Sequence, residues 1–210
     1  MDVGQVISEV ADLAYDAQTP TIIYAATEGS GMLRSTDGGT TWAPMGEGIQ
    51  ALGWVRSIAA EPSPPYRVFA STEADGLYVS EDHGLWWAKA DASPEGFVIN
   101  QILCTDDKPS LLYLATSDGL WRSRDGAQTW AGWERAAGSL GHVPVYSLAQ
   151  VATDDRIILY AGTTGGYVES TEALALASNG DTLVNAGVYR YTTRRNPRFC
   201  LPLVLKRYLQ

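Results

Sequence analysis

The chain is poor in the residues that build metal centres and nucleophilic sites. It has two cysteines, Cys104 and Cys200, and two histidines, His83 and His142, in 210 residues. The cysteines have no metal-ligand spacing and no histidine nearby, so a zinc centre and a Cys-His nucleophile both lack members. A Ser-His-Asp arrangement is short of candidates for the same reason. The expectation is a buried thiol at Cys104, a tail thiol at Cys200, no metal and no cofactor. Positive charge is also scarce, 15 lysines and arginines against 24 aspartates and glutamates, a net charge of −9. A chain that acidic is repelled at long range by nucleic acid and by anionic lipid, which opposes non-specific binding and puts both last among partner classes, so no nucleic-acid partner is expected. No apolar run approaches the length that spans a bilayer, so membrane insertion is not expected. Residues 1–10 lack the basic start and apolar stretch of a signal peptide.

What the chain has is glycine, 21 residues of it, and a hydrophobic content of 45 % against 19 % charged, enough to bury a core as one domain. It also has a period. Tyr24-Ala25-Ala26-Thr27 recurs as Phe69-Ala70-Ser71-Thr72, Tyr113-Leu114-Ala115-Thr116 and Tyr160-Ala161-Gly162-Thr163, at spacings of 45, 44 and 47. A glycine-led apolar strand follows each copy at Gly31, Gly76, Gly119 and, after an insertion over 164–186, Gly187. An aliphatic strand precedes each, beginning at Val10, Val55, Ile99 and Val145. Pro62, Pro64, Pro65, Asp106, Asp107, Asp154 and Asp155 mark the turns between them. A period of this length made of short strands predicts repeated units that bury their apolar faces only against one another.

The third strand of each copy runs into an octamer. Ser35-Thr36-Asp37-Gly38-Gly39-Thr40-Thr41-Trp42 is followed in register by Ser80-Glu81-Asp82-His83-Gly84-Leu85-Trp86-Trp87 and Ser123-Arg124-Asp125-Gly126-Ala127-Gln128-Thr129-Trp130. These octamers resemble the Asp box, or BNR repeat, Ser-x-Asp-x-Gly-x-Thr-Trp. The second departs at Trp86, which replaces threonine, and the third at Ala127, which replaces glycine. The resemblance covers residues 7 to 195 and points to the sialidase-like Asp-box propeller superfamily, which takes in sialidases, xyloglucanases, sortilin-type receptors and YCF48-type photosystem-assembly factors. It implies an all-β β-propeller of about four Asp-box blades, near 7–50, 51–96, 97–143 and 144–195, with the last incomplete and a C-terminal tail over 196–210. Such a chain forms either a small closed ring or part of a larger propeller, with self-association or missing upstream blades as the other routes to closure. The octamer residues Ser35, Asp37, Gly39, Thr41, Trp42, Ser80, Asp82, Gly84, Trp87, Ser123, Asp125, Thr129 and Trp130 are expected to be structural. Aspartate accepts turn amides, glycine supplies an unusual φ, and tryptophan packs between sheets.

The resemblance places the octamers on the face opposite the active site of the enzymes in this superfamily. That leaves Glu28, Glu73 and Asp118, in the turns between second and third strands, and Trp54 and Trp133, in the links between blades, as the candidate ligand-binding residues. Tryptophan on a rigid surface can stack on a sugar ring or anchor a protein partner, although packing between blades is the favoured reading for Trp54 and Trp133. Glu28, Glu73 and Asp118 recur through the repeat, which favours a solvent-facing turn over a dedicated acid/base pair. No catalytic residue is assigned. The function expected is a non-catalytic extracellular or cell-surface binding or scaffold module for a protein or glycan; the alternative is a degenerate or partial glycoside hydrolase. Beyond the insertion, Arg194-Arg195-Asn196-Pro197 replaces the octamer, and the apolar stretch ending in Lys206-Arg207 either resembles the tails of some bacterial exported surface proteins or forms a last strand docked onto the fold.

Overall fold

The computed structural model describes residues 9–49, 53–73, 75–90, 95–105, 111–129, 132–135, 142–152, 156–163, 188–194 and 204–206. Trp130, Cys200, the insertion over 164–186, the turn residues Asp106, Asp107, Asp154 and Asp155 and residues 195–197 lie outside the described residues, as does the side chain of Trp133. The chain divides into two compact units, 1–95 and 96–210. Each holds two four-stranded antiparallel sheets in which sequence neighbours pair in order.

In the first unit, β1 (Val10–Tyr15), β2 (Ile23–Thr27), β3 (Met32–Ser35) and β4 (Ala43–Met45) form one sheet. The second contains β5 (Val55–Ala60), β6 (Val68–Thr72), β7 (Gly76–Ser80) and β8 (Ala88–Lys89). Side chains alternate between the faces of a strand, so Tyr24 and Ala26 share one face of β2 while Ile23 and Ala25 share the other. Tyr24, Ala26 and Met32 from the first sheet meet Val55, Ile58, Val68, Ala70, Tyr78 and Trp87 from the second in one buried cluster. Burial of each large side chain there stabilises the unit by about 1.5–3 kcal/mol. At the first strands the Asp12 carboxylate accepts the Ser57 hydroxyl at 2.6 Å and the Ile58 N–H at 3.1 Å, tying one sheet to the next.

The second unit repeats this plan with β9 (Ile99–Cys104), β10 (Leu112–Thr116), β11 (Gly119–Ser123) and β12 (Trp133–Arg135), then β13 (Val145–Ala152), β14 (Arg156–Thr163), β15 (Val188–Arg194) and β16 (Val204–Lys206). Tyr113, Ala115 and Leu120 cover Val145, Leu148, Leu159 and Ala161. Gln101 stands where Asp12 stands in the first unit, and its side-chain oxygen accepts the Leu148 N–H. Cys104 is buried, as expected. Residues 204–206 of the tail pair with β15, Arg190 opposite Lys206 and Thr192 opposite Val204, as a last strand docked on the edge of the sheet.

The turns that end β1, β5 and β9 are each closed by a buried polar residue. Asp16, Glu61 and Thr105 occupy one phase of the repeat, and their N–H groups bond the carbonyls of Ile22, Arg67 and Leu111. Asp16 accepts the N–H groups of Gln18 and Thr19 at 2.8 Å. Glu61 takes the Arg67 guanidinium at 2.7 and 3.0 Å and the Arg67 N–H at 3.1 Å, a buried fork that satisfies both partners. None of these three was singled out from sequence, although their spacing in the repeat was a readable signal.

Candidate functional site

The octamers form the turns between β3 and β4, β7 and β8, and β11 and β12, and all three use one geometry. Ser35, Ser80 and Ser123 each donate to the first carboxylate oxygen of Asp37, Asp82 and Asp125, at 2.8, 2.8 and 2.9 Å. Each serine oxygen then accepts the N–H four residues on, from Gly39, Gly84 and Ala127, at 2.8 Å. Asp37 further accepts the N–H of Thr41 at 2.8 Å and its hydroxyl at 2.6 Å. Thr129 makes the same two bonds to Asp125, at 3.0 and 2.5 Å. Trp86, in the place of threonine, keeps the backbone bond, its N–H 2.9 Å from Asp82. Ala127, in the place of glycine, still takes a left-handed φ of 64°. The carboxylates are acceptors throughout, and hydrogen bonding to the charged form favours it. Thr41 is the largest cause of the fall of Asp37 to about 2. Burial acts upward on Asp82 and Asp125, but the bonds from Trp86 and Ser80, and from Thr129 and Ser123, outweigh it and hold both below the usual range.

The tryptophans of these turns differ. Each donates its indole N–H to a turn carbonyl, Trp42 to Gly39 at 3.0 Å and Trp87 to Gly84 at 3.2 Å. Trp87 packs against the preceding sheet and is 1 % exposed, as expected of a residue lying between sheets. Trp42 departs from that expectation at 37 % exposed, because no described sheet precedes the first within its unit.

The opposite end of the sheets carries the turns between second and third strands. Glu28 and Trp54 form a backbone bridge, the Gly29 N–H reaches the Gly53 carbonyl at 3.1 Å, and the Glu73 N–H reaches the Trp54 carbonyl at 2.9 Å. The backbone of Trp54 is thus clamped between two turns while its ring is 47 % exposed. Arg56 lies 2.7 Å from the Glu73 carboxylate beside it. Three of the expected ligand-binding residues, Glu28, Trp54 and Glu73, therefore share one ridge of the first unit. Trp133 does not take the place expected of it. It opens β12 opposite Ser123, at the octamer end of its sheet, since the fourth strand starts where the octamer stops.

Asp118 also differs from its expected equivalence with Glu28 and Glu73. The residue matching Glu73 is Ser117, whose N–H bonds the Val98 carbonyl as that of Glu73 bonds Trp54. Asp118 corresponds instead to Asp75. Asp75 pairs with Lys89 of the fourth strand at 2.7 Å, and Asp118 pairs with Arg135 of the fourth strand at 2.6 Å. This turn is one residue shorter than its counterparts, Thr116 to Gly119 against Thr72 to Gly76, which shifts the register of the match. Lys89 holds Asp75, and Arg135 with His142 holds Asp118, below the usual carboxylate range, the reverse of what a general acid needs. Arg135 also lies 4.7 Å above the Trp121 ring, which stacks on Phe97 at 5.6 Å, so the second unit carries its own aromatic and ionic patch.

His83 falls at the octamer end, 2.6 Å from the buried Asp16 carboxylate, which the Tyr24 hydroxyl also reaches at 3.1 Å. Burial and the negative charge of Asp16 keep the Tyr24 hydroxyl protonated far above its ordinary range. Among the described residues no group of three or more histidines, cysteines or carboxylates is placed to hold a metal, and no helix is long and apolar enough to cross a membrane.

No protein-family model matches the sequence, and no curated protein is similar to it in sequence. Solved structures are similar in fold. The GH74 enzyme of Niastella koreensis is 18 % identical with a TM-score of 0.61, over 95 % of this chain and 30 % of that one. YCF48 bound to the D1 peptide is 11 % identical with a TM-score of 0.59, over 95 % of this chain and 55 % of that one. PorZ, a bacterial surface component of the type-IX secretion system of Porphyromonas gingivalis, is 12 % identical with a TM-score of 0.51, over 91 % of this chain and 32 % of that one. The chain thus spans about a third of the enzyme's length and about half that of YCF48. At such identities a shared fold is what the likeness carries. With its four antiparallel meander sheets, the chain has a β-propeller fold.

Proposed function

We propose that this chain is a non-catalytic binding module that holds a protein segment on the Trp54 ridge. One observation carries the reading: Trp54 has its backbone fixed by two turns and its ring half in solvent, a rigid aromatic anchor that needs no ordering before it binds. The Arg56–Glu73 pair and Glu28 beside it supply polar contacts for a peptide backbone. The YCF48 structure with a bound peptide supports the choice of partner. The octamer turns serve in this reading as Asp boxes of the BNR type, one for each of three repeat copies, and stabilise the sheets rather than touch the ligand. A cell-surface location is part of the proposal, supported by the printed description of PorZ.

Peptide and glycan arrays probed with the chain and with Trp54→Ala test it. Peptide capture that falls at least tenfold in Trp54→Ala, with the melting temperature unchanged, is the expected result. Capture that survives the substitution refutes the ridge. Binding of glycans alone replaces the protein ligand with a sugar, a reading favoured by the exposed indole and by the likeness to the GH74 enzyme. Release of sugar from xyloglucan restores the hydrolase alternative.

A further inference from the structure

Trp54 stands between two glutamates. Glu28 faces it across an antiparallel bridge, and the Glu73 N–H bonds its carbonyl at 2.9 Å from the other side. Residues directly opposite in an antiparallel ladder project to the same side with their Cβ atoms about 4.5–5.5 Å apart, which puts the Glu28 carboxylate within reach of the indole. The two carboxylates differ in what answers their charge. Glu73 is paired with Arg56 at 2.7 Å, whereas Glu28, half-buried, has no cation within ion-pair distance among the described residues. The unit has few cations to offer it. Residues 1–95 hold four lysines and arginines against fourteen aspartates and glutamates. Arg67 is held by Glu61, Lys89 by Asp75 and Arg56 by Glu73, and Arg34 stands opposite Tyr24 beside the first octamer. Residues 96–210 hold eleven against ten, so the acid excess of the chain belongs to the first unit.

A half-buried carboxylate without a counter-charge is partly stripped of water, and a cation brought to it offsets that loss. The indole beside it offers the same kind of group a second contact, since the face of a tryptophan ring attracts a cation within about 6 Å. Both groups are fixed before anything binds, Trp54 by its two backbone clamps and Glu28 by the bond from its N–H to the Glu9 carbonyl at 2.9 Å. We propose that the ridge selects a lysine or arginine of the segment it holds, the cation lying on the Trp54 ring with the Glu28 carboxylate as its counter-charge. The assignment rests on the ridge being a peptide site, and names the residue that site recognises. Arginine fits better than lysine, because a planar guanidinium stacks flat on an indole and forks a carboxylate at the same time. The negative charge of the unit steers such a segment inward at long range. Arg56, paired with Glu73, keeps the second carboxylate from competing for the cation. An acidic segment is rejected, since it would set a like charge against Glu28.

A peptide array on which every sequence is printed with arginine, glutamine or glutamate at its central position tests the proposal. It is probed with wild type, Glu28→Gln, Glu81→Gln and Trp54→Ala at physiological salt, which screens attraction between distant charges. Wild type is expected to favour the arginine form over the glutamine form about tenfold or more, and to take the glutamate form least. Glu28→Gln, with its melting temperature unchanged, is expected to lose that preference while still capturing peptides through Trp54. Glu81→Gln removes the same charge from an exposed turn at the octamer end and should keep the preference, which separates a local pairing from attraction by the whole unit. Wild-type capture indifferent to the central residue, or an arginine preference that survives Glu28→Gln, overturns the proposal and leaves the ridge standing as a peptide site. Equal losses of preference in Glu28→Gln and Glu81→Gln overturn it as well. Capture undiminished in Trp54→Ala, or no capture by wild type at all, overturns the ridge and the proposal together.

Discussion

Trp42 and Trp87 offer a controlled comparison, because the two indoles make the same hydrogen bond in the same turn and differ in what lies beside them. A fully buried tryptophan removes roughly 200 Å² from water, worth about 5 kcal/mol at about 25 cal/mol per Å². Residual burial in the unfolded chain lowers that figure and the cavity left by truncation raises it, so Trp87→Ala should cost about 4 kcal/mol. Trp42, already 37 % exposed and open to water on one side, leaves no closed cavity, and Trp42→Ala should cost about 1–2 kcal/mol. Urea melts followed by far-ultraviolet circular dichroism measure both. At a slope of about 2 kcal/mol per molar, the midpoint should fall by about 2 M for Trp87→Ala and by less than about 1 M for Trp42→Ala. Equal costs in dilute solution would refute the reasoning, for the hydrogen bond common to both would then outweigh packing against the neighbouring sheet.

Ala127→Gly should stabilise the protein by about 0.5–1 kcal/mol, because an alanine held at a φ of 64° is strained, and a thermal melt reads the rise. Gly84→Ala should do the reverse by about 2–3 kcal/mol: its φ is 82°, and an added methyl would stand 3.1 Å from the Tyr24 ring and 3.3 Å from the Met45 sulfur. Glu61→Ala should cost about 3–5 kcal/mol by leaving the Arg67 guanidinium buried without its carboxylate, and a double-mutant cycle with Arg67→Met should recover most of the loss. Acid should unfold the chain in a defined window. Asp37, Asp82 and Asp125 all have folded values below their unfolded ones, so their contribution is complete above about pH 4 and is lost as pH falls through the folded values, near 2 for Asp37. Melting temperatures taken from pH 6 downward should be flat and then drop, and in Asp37→Asn the drop should be shallower.

The repeat was legible because strand identity and turn chemistry both recur at one spacing, so the second-strand motifs at Tyr24, Phe69, Tyr113 and Tyr160 and the octamers after the third strands located each other. The turn geometry was legible too, since serine, aspartate and glycine in those positions have few other ways to satisfy a hairpin's amides. What sequence could not supply was position within the array. Trp42 and Trp87 end octamers of one pattern and make the same indole bond, yet differ in burial, because a sheet precedes only the second within the unit. The match of Asp118 to Glu73 went astray at a turn one residue shorter than the others. The partners that exposed it, Lys89 for Asp75 and Arg135 for Asp118, lie a full strand away. Trp54 and Trp133 looked alike as tryptophans outside the octamers, yet one is fixed by a bridge to Glu28 and the other opens an outer strand.

The link from Asp12 to the Ile58 N–H, repeated from Gln101 to the Leu148 N–H, bears on how this chain can be shortened. In both units the acceptor belongs to the earlier sheet and the donor to the later one. Removing the earlier sheet of a unit would therefore strip apolar cover and orphan an amide together, a cost of about 1–3 kcal/mol for the amide alone. Removing the later sheet takes the acceptor from the Gly29 N–H, which is exposed and can turn to water, and from the Asn100 side-chain amide, but from no N–H within a strand of the earlier sheet. Trimming from the two ends of a unit should accordingly be unequal: its first sheet should persist without the second more readily than the second without the first. Pieces cut at the border of the units, between 95 and 96, carry each such bond intact.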